Sequence, residues 1–181
     1  SSSVSSSPPQ SPPPSPPVVS SSTFATHIVI SRVQITGGSG KADEDSIAIT
    51  NIGTEAADVS NWKLRKRTKS GTESSIKVIP AETTLLPGSQ LVWATSKNGF
   101  AQTVSAALSS TQTLTDNSSI AVLRPDGSIA DALAWGNDHT GPFIETAAFP
   151  QNPSCGQALI RRGNGGELQD TDNNASDFEV R

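Results

Sequence analysis

Residues 58–71 read DVSNWKLRKRTKSG. Trp62 and Leu64 alternate with Lys63 and Arg65, and Arg67 and Lys69 extend the basic set. Successive side chains of a strand point to opposite faces. The stretch therefore predicts a strand with two different faces. Trp62 and Leu64 open the apolar face. Lys63, Arg65, Arg67 and Lys69 form a basic ridge spanning about 20 Å on the other. Lys66 falls on the apolar side, at a strand end where the core runs out.

The same grammar holds on both sides of this stretch. Upstream, residues 27–35 (HIVISRVQI) and 46–51 (SIAITN) read as β-branched strands. Downstream, strands are predicted over 76–79, 84–86, 90–95, 111–115, 119–123, 128–135, 158–162 and 178–180. Pro87-Gly88 predicts a type II turn, since Pro sets φ and Gly supplies a positive φ. Arg124-Pro125-Asp126-Gly127 predicts a hairpin turn. Residues 101–108 are the best helical stretch, and a short one. No segment sustains a 3.6-residue apolar period, so the class is all-β, a sandwich or barrel.

Composition limits the rest. The chain has 181 residues, a net charge of −4, and no Met. The first 22 residues are almost entirely Ser and Pro, broken by Val4, Gln10, Val18 and Val19. Such a segment has little apolar surface to bury and few backbone donors, so residues 1–26 read as a flexible linker. Residues 27–181 read as one domain, long enough to bury roughly two-thirds of its unfolded surface. The PPPSPP run lacks flanking basic residues and is not read as an SH3 ligand. No apolar run reaches the ~18 residues of a membrane-spanning helix. The opening SSSVSSSPP, without Met or an apolar leader, gives the expectation of a processed product or a piece of a longer protein. Cys155 is the single cysteine, which excludes an intrachain disulfide and an antibody-type Cys–Trp–Cys framework. It is expected to be a small buried hydrophobe.

The stretches DSIAITNIGTEAADVSNWKLRKRTKSG (45–71), LLPGSQLVW (85–93), LRPDGSIADALAWG (123–136), ALIRR (158–162) and DTDNNASDF (170–178) together resemble the lamin tail domain. The resemblance covers nearly all of 27–180. It implies an immunoglobulin-like β-sandwich. Asn51 matches a strand-closing position before a Gly-containing turn, and Val59-Ser60-Asn61-Trp62 resembles the family's corner. Asn61 stands where Gly is usual, and Asn is the side chain that best tolerates a positive φ. Ala48 stands where an acidic residue is frequent, and Trp135 where a smaller aromatic is common. Without a coiled-coil rod, the resemblance implies a bacterial-type stand-alone module of a secreted or envelope-associated protein, monomeric and non-catalytic.

Several residue sets could carry chemistry. No G-x-S-x-G, H-E-x-x-H or P-loop pattern occurs, and His27 and His139 are the two histidines. No enzyme is expected. Asp170, Asp172, Asn174 and Asp177 offer hard oxygen ligands and begin like an EF-hand loop. Ala175 replaces the loop's Gly and Arg181 its final Glu. A looser calcium site is the alternative to an Asx-turn network, which is preferred. No other cofactor is expected. The Asp43-Glu44-Asp45 cluster reads as a solvated loop. The basic ridge could meet DNA phosphates, anionic polysaccharide or an acidic protein, or simply be a solvated sheet face. Trp62 and Trp93 are expected in the core and Trp135 at the surface, where it alone would support sugar stacking. Asn117 and Asn174 match the glycosylation pattern. The leading expectation is a structural or interaction module with a protein or envelope partner. The rival is a ligand-binding module that uses the ridge.

Overall fold

Runs of β-branched residues cut by turn residues fold into fourteen strands among the described residues. The chain, seen here as a computed structural model, is described over residues 9–12, 26–164 and 167–181. The Ser/Pro linker read over 1–26 lies outside the described residues, apart from 9–12 and Thr26. In chain order the strands are β1 (Ile28–Gln34), β2 (Ser46–Asn51), β3 (Ala57–Asp58), β4 (Lys63–Arg67), β5 (Glu73–Val78), β6 (Thr84–Leu85) and β7 (Gln90–Thr95). The four-residue helix α1 (Phe100–Thr103) follows, then β8 (Leu108–Ser110), β9 (Ser119–Leu123), β10 (Ile129–Ala134), β11 (Leu159–Arg161), β12 (Gly163–Asn164) and β13 (Glu167–Leu168). The turn-length helix α2 (Asn174–Asp177) leads into β14 (Phe178–Val180).

Two sheets face each other as an immunoglobulin-like sandwich. The first has the order β14-β11-β1-β2-β7-β8, and the second β10-β9-β4-β5. All their pairings are antiparallel except β7 with β8. One apolar core joins them. Ile30, Ile47, Ile49, Trp93, Leu159 and Phe178 enter from the first sheet, and Leu64, Ile76, Ile120, Val122 and Leu133 from the second.

In β1 the core-facing residues change parity. Ile28 and Ile30 are inward, and then Val33 and Ile35. A bulge between Ile30 and Arg32 makes the switch. An extra residue in one strand interrupts the ladder and reverses which side chains face inward. Ile30 stays in register with Ile49 on β2, while β11 pairs only with Arg32 and Val33 and does not reach it.

The predicted corners form as expected. Asn61 has φ 63°, and its N–H donates to Ile79 O at 3.0 Å. Gly88 has φ 75°, and Ser89 N donates to Leu86 O at 3.0 Å, closing the Pro87-Gly88 turn. Gly127 N donates to Arg124 O at 2.9 Å in the β9–β10 hairpin. Asn51 ties the end of β2 to its surroundings. Its Nδ2 donates to Glu55 O and Leu85 O, and its Oδ1 accepts from Gly53 N.

Four expectations need correction. Residues 111–115 form no strand; side chains hold that segment, with Leu114 N donating to Asp45 Oδ2 and Lys66 Nζ donating to Thr113 O. The strand lies earlier, at β8. The helix over 101–108 shrinks to α1. Trp135 is fully buried and donates through Nε1 to Thr115 O, whereas Trp62 is the partly exposed tryptophan. Its ring packs against the core edge under the Arg124 guanidinium, 5.7 Å from the ring centre. Cys155 is exposed in the turn closed by Gln157 N and Ser154 O, so no core surrounds it.

Candidate functional site

The basic ridge is only half free. Leu64 is buried and Lys66 follows it on the inward side, near Asp45, as the alternation predicts. On the outward face Arg67 Nη1 donates to Glu73 Oε1 at 2.9 Å. The loop after β10 lies over the same guanidinium, so closely that a Cβ on Gly141 would sit 2.7 Å from Arg67 Nε. Lys69 pairs with Asp138 of that loop at 3.0 Å. Lys63 and Arg65 have no carboxylate partner among the described residues. Lys63 lies in one cross-strand row with Val78 on β5, Leu123 on β9 and Ile129 on β10. Val78 is 48% exposed and Ile129 36%. Leu123 is covered by Phe143, again from the loop after β10.

The C-terminal Asp/Asn segment is a set of local caps, and its members diverge. Asn173 caps α2 by accepting from Ala175 N. Asp177 accepts from Thr171 N and Oγ1 and from Gln169 Nε2. Burial works to raise its pKa, but these bonds outweigh it and hold the carboxyl below its ordinary value. Asp172 is exposed, with φ 55°. Asn174 is fully buried and turned the other way: Oδ1 accepts from Ala134 N, and Nδ2 donates to Ala132 O. That side chain occupies the free edge of β10 as another strand would. Asp170, Asp172, Asn174 and Asp177 therefore do not converge on one point as a ligand set. Nor is Asn174 placed to accept a glycan.

Asp170 instead meets residues that the sequence reading passed over. Arg161, on β11, points into the sandwich beside Leu159. Asp131, on β10, points inward beside Leu133. Their side chains are 0% and 1% exposed, and Arg161 Nη2 lies 2.7 Å from Asp131 Oδ2. The pair serves the β1 bulge: Asp131 Oδ2 accepts from Ile30 N at 2.5 Å, and Arg161 Nε donates to Ile30 O at 2.6 Å. Arg161 also approaches Asp170 at 3.5 Å and Asp177 at 3.6 Å, and its guanidinium stacks on Phe178. Glu145, from the loop after β10, completes the group beside Asp131. Burial raises the pKa of Asp131 against the pull of Arg161. Glu145 is pushed up to about 9, first by burial and then by the Asp131 carboxylate. The readable signal was parity, since both charged residues share a strand face with core leucines.

The histidines are apart in role. His27 Nε2 lies 2.7 Å from Asp170 Oδ2, and His139 Nε2 pairs with Trp135 O at 2.8 Å.

The family model for the lamin tail domain matches residues 21–137. The chain belongs to the lamin tail domain family. No curated protein matches the sequence. The match takes in the ridge and Asp131, while Glu145, Arg161 and Asp170 lie beyond it. The lamin tail domain seen here thus draws β14 and β11, the two strands at one end of the first sheet, from residues after the matched span. Membership gives the coarse function: a non-enzymatic, immunoglobulin-like fold of interaction modules. No helix among the described residues is long and apolar enough to cross a membrane.

Proposed function

We propose that this lamin tail domain is a structural interaction module of a secreted or envelope-associated protein, of the bacterial stand-alone kind. Its contact face is the outer side of the second sheet around Lys63. The observation that carries this reading is the row Val78–Lys63–Leu123–Ile129. Two exposed aliphatic side chains flank a lysine with no acidic partner among the described residues. Exposed apolar side chains beside an uncompensated cation suit a partner surface that is apolar with an acidic rim. The Ser/Pro composition of the first residues supports a tethered module, since such sequences act as spacers between domains. The non-catalytic part of the reading rests on the family and on the engagement of both histidines.

Photo-crosslinking in the parent protein tests it. A probe at position 78 or 129 is expected to capture a discrete protein or envelope component. A probe at Lys41, in the β1–β2 loop of the other sheet, is not. Equal labelling from all positions would overturn the choice of face.

A second reading, weak contact with nucleic acid or anionic polysaccharide, is favoured by Lys63 and Arg65, which have no carboxylate partner among the described residues. It uses those two residues and not the whole ridge. Calcium at the Asp170–Asp177 caps has no such support.

A further inference from the structure

We propose that Asp131, Glu145 and Asp170 form a binding site for one hard divalent cation of the calcium class. The carboxylate oxygens that these three residues offer lie within 4.8 Å of one another. That spacing suits an ion at 2.3–2.6 Å from each, the range of calcium–oxygen bonds.

The buried end of the site carries an independent demand. Asp131 is 1% exposed, and its Oδ2 is consumed by Ile30 N and Arg161. Among the described residues no N–H or hydroxyl reaches its Oδ1, which faces only the carboxyl of Glu145. A buried carboxylate oxygen without a donor is costly, and a cation satisfies it. The side chain within reach of Asp131 is Glu145, itself an acid. Glu145 Oε2 takes a 3.2 Å bond from Asn174 Nδ2, and its carboxyl lies within hydrogen-bond reach of Asp131.

Charge points the same way. Asp131, Glu145, Asp170 and Asp177 gather around one guanidinium, Arg161, with His27 adding a charge only when protonated. A divalent ion offsets two of the three negative charges that remain when all four carboxylates are ionised. The three donors are all oxygen, which disfavours zinc and copper. Glu145 and Asp170 are partly exposed, so ions can enter there and water can fill the remaining positions. Magnesium, with its stricter octahedral demand, fits a site built from three separate segments less well.

Those segments are β10, the loop after it and the stretch before α2. The ion would join all three, and the C-terminal strands with them. This ligand set shares only Asp170 with the one suggested by the D-x-D-x-N spacing. The competing account is a proton held between Glu145 and Asp131.

The test uses the full chain, freed of metal with chelator, at fixed pH and ionic strength. Calcium is expected to bind once, with Kd about 10⁻⁴–10⁻³ M as in extracellular calcium modules. At a hundredfold excess over Kd it is expected to raise Tm by roughly 5–10 °C. Glu145→Gln abolishes both the binding heat and the Tm response, and its circular dichroism shows that it still folds. Asp172→Asn, outside the site, keeps both. A wild-type chain indifferent to calcium by heat and by Tm, with Tm moved by pH alone, would establish the shared proton and overturn the site. A Glu145→Gln variant that binds calcium like wild type would overturn it as well.

Discussion

Arg161 and Asp131 stand 2.7 Å apart across the two sheets, and together they satisfy the backbone N–H and C=O of Ile30 beside the β1 bulge. Neither residue is a surface ion pair. Removing one partner strands the other charge in the interior, which costs about 3–5 kcal/mol. Arg161→Leu is therefore expected to lower the urea midpoint by that equivalent, since it also orphans Ile30 O and leaves Asp177 without its cation. Arg161→Lys keeps a charge but not the fork that reaches Asp131 and Ile30 at once. Its expected loss is smaller, with the unfolding slope unchanged from wild type.

Asn174 gives a second, independent check on the edge of β10. Its amide accepts from Ala134 N and donates to Ala132 O, and Oδ1 also accepts from Glu145 N. Asn174→Ala leaves buried backbone groups unpaired, at about 1–3 kcal/mol each. Total destabilisation of about 2–4 kcal/mol is expected by urea unfolding. Hydrogen exchange at the Ala134 amide should accelerate more than at Val122 in the neighbouring strand. Equal acceleration at both would show global loosening and would count against the edge-capping role.

These two residues also show where the sequence was readable and where it was not. The strands of both sheets, the Asn61 corner and the Pro87-Gly88 turn follow from alternation and turn chemistry. Those signals are local. The inward parity of Arg161 and Asp131 is local too, but their pairing is not: they are 30 residues apart in sequence and meet at Ile30 beside a β-bulge. A bulge leaves no reliable mark in a β-branched run, so the parity change in β1 was invisible. Trp62 and Trp135 exchanged places for a related reason. Each ends a strand, and whether a strand end is covered depends on loops from elsewhere in the chain. Asp170 stands out in the sequence for its neighbours there, whereas its partners in space are His27, just before β1, and residues of β10 and β11.

Asp45 gives a pH prediction. It is buried just before β2, with Oδ2 accepting from Leu114 N at 2.6 Å and Oδ1 without a donor among the described residues. Burial pushes its pKa up to about 7, despite the Leu114 bond and the nearby Lys66. The folded state therefore holds a proton that the unfolded state has lost. The contribution to stability is full below about pH 4 and is lost as pH rises through about 7. The loss is at most about 1.4 kcal/mol per pH unit in that window. Asp45→Asn keeps an acceptor for Leu114 and cannot ionise. Measured against wild type, the variant is expected to gain relative stability from pH 4 to 7 and to level off above. A constant difference between the two across that range would refute the assignment.

The basic ridge yields the last prediction, and it turns on a count of free charges. Read from alternation alone, Lys63, Arg65, Arg67 and Lys69 all face outward and would all meet a polyanion. In the fold, Glu73 holds Arg67 beneath the Gly141 loop, and Asp138 pairs with Lys69. Asp138 stays beside Lys69 and offsets its charge, so that exposed pair adds no net cation to the ridge. The Arg67 pair is shielded by the loop backbone. A ridge using only Lys63 and Arg65 releases about two counterions on duplex DNA, giving a log–log salt slope of about −1.8. Four contacting cations would give about −3.6. Fluorescence anisotropy against a short duplex, from low to physiological salt, distinguishes the two slopes. Lys63→Ala/Arg65→Ala is expected to remove the residual low-salt binding, and Arg67→Ala to leave it within twofold. A slope near −3.6, or a strong loss with Arg67→Ala, would mean that the loop over Arg67 opens to admit the polyanion.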